Sequence, residues 1–131
     1  DIWVPDRRRP DKAIDALEKK QPDKPFARYL RGQTELAQKD DSAARQSFDR
    51  ALALDPRFFP ATAALVGLDL RANKPEEARK RLDQVLASDP KNVYALLGVA
   101  ELRAQAGASN DELAGLLEDA IKLNRGVAAP L

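Results

Sequence analysis

Histidine, cysteine and methionine are all absent from this 131-residue chain. Without histidine it lacks the commonest general base and the commonest metal ligand. Without cysteine it has no disulfide, no thiolate nucleophile and no Cys-based metal site, and its redox compartment cannot be read. Neither a Ser-His-Asp nor a Cys-His site can be built from these residues. Its six glycines are scattered, so nothing resembles a phosphate loop. No apolar run approaches the roughly 18 residues that span a bilayer, so direct membrane insertion is not expected. Acids and bases nearly cancel, 21 against 22, leaving a formal charge of +1. A protein that coats nucleic acid carries a basic excess, which is missing here. The chain opens on Asp1 without a methionine, as an excised piece of a longer protein or a mature form lacking its start would do.

What is there is 44% hydrophobic and 33% charged, the make-up of one helix-rich domain with a modest core. The organising fact is a repeat of 34 residues. Ala44, Arg45, Asp49 and Leu52 recur as Ala78, Arg79, Asp83 and Leu86, and Asp55-Pro56 recurs as Asp89-Pro90. Leu36 meets Leu70, Ala61 meets Ala95, and Pro22 extends the proline series upstream. A third copy matches after one extra residue in the "AGASND" loop, where added length costs little. Leu113, Leu117, Ala120 and Ile121 then fall on Ala44, Phe48, Ala51 and Leu52, and Arg125 stands in the place of Pro56.

Within each unit the apolar residues follow helix spacing rather than strand alternation, as Ala44, Phe48, Ala51 and Leu52 show. Proline lacks an N–H and crowds its predecessor, so Asp55-Pro56 and Asp89-Pro90 end their helices. Pro75 with Glu76 and Glu77 suits a first helical turn. Ser109 with Glu112 fits a capping box, and Gly107 a left-handed helix end. Capping likewise accounts for the acidic pairs Asp40-Asp41 and Asp111-Glu112. The spacing predicts seven helices, at about 11–20, 26–38, 41–54, 60–72, 76–87, 93–106 and 110–123. They pair into hairpins that must stack on neighbours to bury their apolar faces.

These residues resemble the tetratricopeptide repeat family. Gly32, Ala44, Phe48, Ala51 and Pro56 fill its signature slots in the first full unit. Ala78, Leu82 and Pro90 do so in the second, which has Val66 in the small slot and Val85 where Ala is usual. Ala100, Leu117 and Ala120 do so in the third. The Trp-Leu pair usual in the family's first helix is absent from every copy. The resemblance, over residues 10–125, implies an all-α fold, an α-solenoid of stacked antiparallel helix pairs. The whole chain is then a single domain. Residues 1–24 are a partial repeat with a lone second helix, 25–58 and 59–92 are repeats, 93–126 is a divergent repeat and 127–131 is a tail. The "RGQTELAQKDDSAARQSFDRALALDP" idiom is also similar to bacterial envelope tetratricopeptide proteins encoded with exopolysaccharide export and exosortase systems. That likeness implies a periplasmic or outer-membrane-associated setting.

The family's first helices line a concave groove in which protein partners lie. Carried over, the groove would be formed by Tyr29, Gln33 and Leu36, then Ala63, Gly67 and Arg71, then Tyr94, Leu97 and Glu101. Tyrosines give large amphipathic contacts at low entropy cost. Ala63 and Gly67 would leave a shallow floor, and Arg71 and Glu101 would select charge. The alternatives are that Tyr29 and Tyr94 fill space between first helices and that Gly67 merely weakens its helix. Members that grip acidic chaperone C-termini use Lys, Asn and Arg side chains. Tyr29, Gln33, Ala64, Tyr94 and Gly98 leave no such clamp here.

The implied function is a non-enzymatic scaffold with a protein or peptide partner and no cofactor or metal. A second reading is homo-oligomerisation through uncapped repeat ends, because "NRGVAAPL" with Gly126 and Pro130 discourages a closing helix. A third is RNA binding, which needs polar or basic pairs recurring on one helix of each unit. Gln33, Gly67 and Glu101 do not recur in kind. The "RRRP" cluster, Arg7 to Pro10, reads either as a phosphate or polysaccharide contact or as a solvated end. Trp3 reads either as packing on the first helix or as a sticky end.

Overall fold

The structure, a computed structural model, describes residues 11–127, with side chains described to residue 122. Trp3, the Arg7 to Pro10 cluster and Pro130 lie outside these residues. Among the described residues seven helices follow one another: α1 (Asp11–Lys20), α2 (Phe26–Ala37), α3 (Asp41–Leu54), α4 (Phe59–Arg71), α5 (Pro75–Ser88), α6 (Val93–Gln105) and α7 (Asn110–Val127). No strand occurs among the described residues. The fold is all-α, in the helical-repeat class. Helix ends fall within one residue of the predicted ones, save at the end of α7.

The proline breaks work as the covalent chemistry requires. Asp55 leaves α3 with φ −146° and ψ 98°, and Asp89 leaves α5 with φ −140° and ψ 80°. The chain then closes the same turn twice, Phe58 N–H donating to Asp55 O at 3.0 Å and Asn92 N–H to Asp89 O at 3.1 Å. Where Arg125 replaces proline, nothing removes a donor, and α7 continues through Gly126 to Val127. The expectation that Gly126 would discourage helix there is corrected. One interior glycine costs only about 1 kcal/mol and does not break a helix with intact backbone bonding.

Helices α3, α6 and α7 are capped by short polar side chains, whereas α2 and α5 start without one. Asp40 accepts from Ala43 N–H at 3.1 Å, Asn92 from Ala95 N–H at 3.0 Å, and Ser109 Oγ from Glu112 N–H at 3.2 Å. The Glu112 carboxylate lies 3.8 Å from Arg103 Nη1. Pro75 takes the first helical position of α5.

The hairpin reversals are also periodic. Lys39 (φ 62°), Asn73 (φ 60°) and Gly107 (φ 90°) are left-handed and follow one another at 34-residue steps. Each carries the same pair of bonds. Lys39 N–H donates to Leu36 O at 2.9 Å and Asp40 N–H to Glu35 O at 2.9 Å. Asn73 and Lys74 donate likewise to Leu70 O and Asp69 O, and Gly107 and Ala108 to Ala104 O and Arg103 O. This 6→1 with 5→2 pattern satisfies the last carbonyls of a helix.

The chain comprises two compact units, Asp1–Leu68 and Asp69–Leu131, whose boundary lies within α4. In the first, Ala44, Phe48 and Ala51 of α3 meet Ala61, Leu65 and Leu68 of α4 in one buried cluster. Helix α2 approaches α3 closely because Gly32 has no side chain. A Cβ there would come within 2.5 Å of the Phe48 ring. Ile14 of α1 is buried, and the helix is tied to α2 by charge. Arg31 donates to Asp15 and, from Nε, to Glu18 Oε1 at 3.0 Å. The Glu18 hydrogen bond is the main cause that holds the Arg31 guanidinium above its ordinary pKa, against desolvation, which lowers it. Arg28 Nη1, buried and without a hydrogen bond, sits 3.7 Å from Glu18 Oε2.

In the second unit the core is Ala78 and Leu82 of α5, Ala95, Val99, Ala100 and Leu102 of α6, and Ala120 of α7. Gly98 again permits close approach, since a Cβ there would lie 2.9 Å from Leu82 Cδ1. Asp69, 1% exposed, accepts from Arg81 Nε at 2.7 Å. Burying each large side chain of these cores contributes about 1.5–3 kcal/mol.

Candidate functional site

The first unit carries five of the nine predicted groove residues. Tyr29, one turn into α2, is half-buried and packs against the core. Its ring stacks on Phe26 at 6.2 Å, tilts against Phe48 at 5.9 Å and meets Phe58 edge-on at 5.5 Å. The space-filling role weighed for Tyr29 is therefore what its ring does, though its partners lie in its own helix, in α3 and in the turn after α3. The hydroxyl reaches the surface and accepts from Gln33 Nε2 at 2.6 Å, one turn along the helix. Leu36 is half-buried against the same core. Gln33, Ala63 and Gly67 are exposed, and a Cβ on Gly67 would meet nothing within 4 Å. Gly67 is thus demanded neither by packing nor by backbone geometry.

The same unit holds a surface that the sequence reading passed over. A cavity of about 560 Å³ opens between α1 and α2, lined by Ala13, Ile14, Leu17, Leu30, Gln33 and Thr34. Its signal was the Ala13-Ile14-Leu17 stripe on a helix short of partners. Gln33 is the one predicted residue that borders it.

The second unit carries Arg71, Tyr94, Leu97 and Glu101, all exposed. Tyr94 is 72% exposed and Leu97 41%, so space-filling does not describe Tyr94. Tyr94 and Leu97 line a cavity of about 520 Å³ with Ala120 and Ile121 of α7, rimmed by Asp89 and Lys91. Its lining is mostly apolar with a few polar and charged groups, the usual build of a site that takes an apolar group in a fixed orientation. Glu101 does not border it. The repeat alignment sets Ile121 on Leu52, which is half-buried. The structure leaves Ile121 51% exposed and Leu117 44% exposed, because no described helix covers that face of α7.

Among the described residues, no three His, Cys, Asp or Glu side chains converge as metal ligands would. No described helix is long and apolar enough to cross a membrane.

Two family models described as tetratricopeptide repeat match the chain, one over residues 35–102, just over half its length, and one over residues 6–57. Among solved structures, "Crystal structure of MamA" is similar with TM-score 0.69 at 19% identity, covering 92% of this chain and 72% of that one. "Crystal structure of MamA protein" is similar with TM-score 0.65 at 19% identity, covering 93% and 68%. No curated protein matches the chain by sequence.

Proposed function

The chain belongs to the tetratricopeptide repeat family, and on that premise we propose that it is a non-enzymatic scaffold that holds a peptide or helix of a protein partner against its first helices. The observation that carries this reading is the exposed Tyr94–Leu97 face beside an open apolar cavity. Soluble proteins seldom leave such a patch on a helix without a use for it. In the second unit the contacts would come from Tyr94 and Leu97, with Arg71 and Glu101 setting charge preference. In the first unit Gln33 and the Tyr29 hydroxyl offer hydrogen bonds beside Leu36. The Ala63–Gly67 strip admits close approach of a partner backbone. The partner we favour is a component of bacterial exopolysaccharide or envelope assembly, on the likeness of the residue 31–70 idiom to proteins of those systems.

Affinity capture tests this with wild type against a Tyr94→Ala/Gln33→Ala variant. These positions are exposed, so the variant keeps its fold, whereas Tyr29→Ala would open the aromatic cluster. Loss of specific partners from the variant is the expected result. Equal recovery from both proteins would reject the first-helix assignment.

A second reading is self-association through the uncovered face of α7, favoured by the exposure of Leu117 and Ile121. Light scattering over a concentration range decides it. A mass that rises with concentration supports assembly, and a constant monomer mass rejects it.

A further inference from the structure

The protein contains a filled and an open version of the same slot. Allowing for two 34-residue steps and, in the second helix, the single inserted residue, Phe26, Tyr29, Ala51 and Leu52 of the first unit correspond to Tyr94, Leu97, Ala120 and Ile121 of the second. In the first unit the slot is occupied. The chain leaves α3 at Asp55, turns through Pro56 with Arg57 N–H donating to Asp55 Oδ1 at 3.0 Å, and delivers the Phe58 ring edge-on to Tyr29 at 5.5 Å. Helix α4 then begins at Phe59 and lays Ala61 and Leu65 into the core.

In the second unit the corresponding side chains line the 520 Å³ cavity. The position equivalent to Phe58 is residue 127, and there the chain makes no turn. Arg125 replaces the proline, α7 runs straight on to Val127, and the backbone bond that swings Phe58 inward has no counterpart among the described residues.

We propose that the α6–α7 cavity receives an aromatic side chain from a protein partner, presented at the entry of a partner helix by an Asp-Pro-x-Phe turn, as Phe58 is presented to Tyr29. The proposal deepens the scaffold reading and rests on it, by naming the chemistry of the partner. The occupant is an aromatic anchor followed three residues later by alanine, the spacing from Phe58 to Ala61. Aromatic rings carry large buried area at low entropy cost and dominate the energetics of small interfaces. The preformed turn lowers the ordering cost of the ligand.

The probe is a fluorescent peptide with the sequence of residues 54–68, titrated into the full chain and followed by anisotropy. Saturable binding is expected. A Phe58→Ala peptide, or an Ile121→Asp protein, should bind at least about ten-fold more weakly, the loss typical of one buried aromatic contact. Lys80→Ala protein, changed at an exposed α5 position outside the cavity lining, should bind as wild type does. Circular dichroism checks that Ile121→Asp, a change at an exposed site, keeps the wild-type helicity. Leu97→Ser provides a second variant with the same expected loss. No saturable binding at millimolar peptide would overturn the proposal, and so would equal binding of the two peptides. Undiminished binding to Ile121→Asp would mean that the peptide displaces the protein's own segment in the first unit, and would also overturn it. Capture of a natural partner lost in Tyr94→Ala/Gln33→Ala but kept in Ile121→Asp would sink the aromatic slot and leave the scaffold reading standing. Capture unaffected by every one of these variants would sink the scaffold reading itself.

Discussion

The Arg81 guanidinium stands to the buried Asp69 carboxylate, at 2.7 Å, as the Ser47 hydroxyl stands to Glu35 one repeat earlier. Both pairs bridge the two arms of a hairpin at the same register. One repeat uses a hydroxyl and the other a charge, and the difference has measurable consequences. Arg81→Met removes the Nε donor from a nearly inaccessible carboxylate and should cost about 3–5 kcal/mol. Asp69→Asn keeps an acceptor and lets the half-buried Arg81 hydrate, at about 1–2 kcal/mol. Chemical denaturation of both variants checks the order, and equal losses would show that the pair is not buried in solution.

Gly32 and Gly67 should respond oppositely to alanine. At Gly32 the new Cβ would meet the fully buried Phe48 ring at 2.5 Å, so something must shift. The overpacking should cost about 1–3 kcal/mol. At Gly67 the new methyl meets nothing, and relief of backbone entropy should stabilise by about 0.5–1 kcal/mol. Thermal melts of the two variants should bracket the wild type.

The three left-handed positions are graded by residue type. Lys39→Gly removes the cost of an L side chain at φ 62° and should stabilise by about 1 kcal/mol. Gly107→Ala imposes that cost and should destabilise by a similar amount, about 1 kcal/mol. Urea midpoints measure both, with unchanged helicity by circular dichroism.

Phe48 and Leu117 occupy the same slot of their repeats, one fully buried and one 44% exposed. Phe48→Ala should cost about 3–5 kcal/mol, through lost burial and the cavity left behind. Leu117→Ala should cost below about 1 kcal/mol, as surface changes do. A large loss at Leu117 would mean that this face of α7 is covered in solution.

The fold was legible because its punctuation is covalent. Asp55-Pro56, Asp89-Pro90 and Pro75 act through a missing N–H and fixed φ, so they set helix ends whatever packs around them. The left-handed turns were half legible. Gly107 announces itself, but Lys39 and Asn73 adopt the same backbone under the pull of two hydrogen bonds each, and nothing in a lysine signals that. The surface was less legible than the fold. Periodicity places Tyr29 and Leu97 in equivalent slots, yet their exposure is set by the segment after the second helix, Phe58 beyond α3 and a straight continuation of α7. Sequence spacing likewise sets Ile121 on Leu52 without fixing its exposure, since an apolar stripe looks the same whether or not a neighbouring helix arrives to cover it.

The recurring chain reversal closed at Lys39, Asn73 and Gly107 separates architecture from vocabulary. Each bend is latched by peptide groups alone, so the three residues at its apex can differ in charge, size and polarity without altering where the returning arm goes. Segments cut at these latches should be interchangeable as cassettes, and copies of the hairpin can drift apart in letters while remaining copies in space.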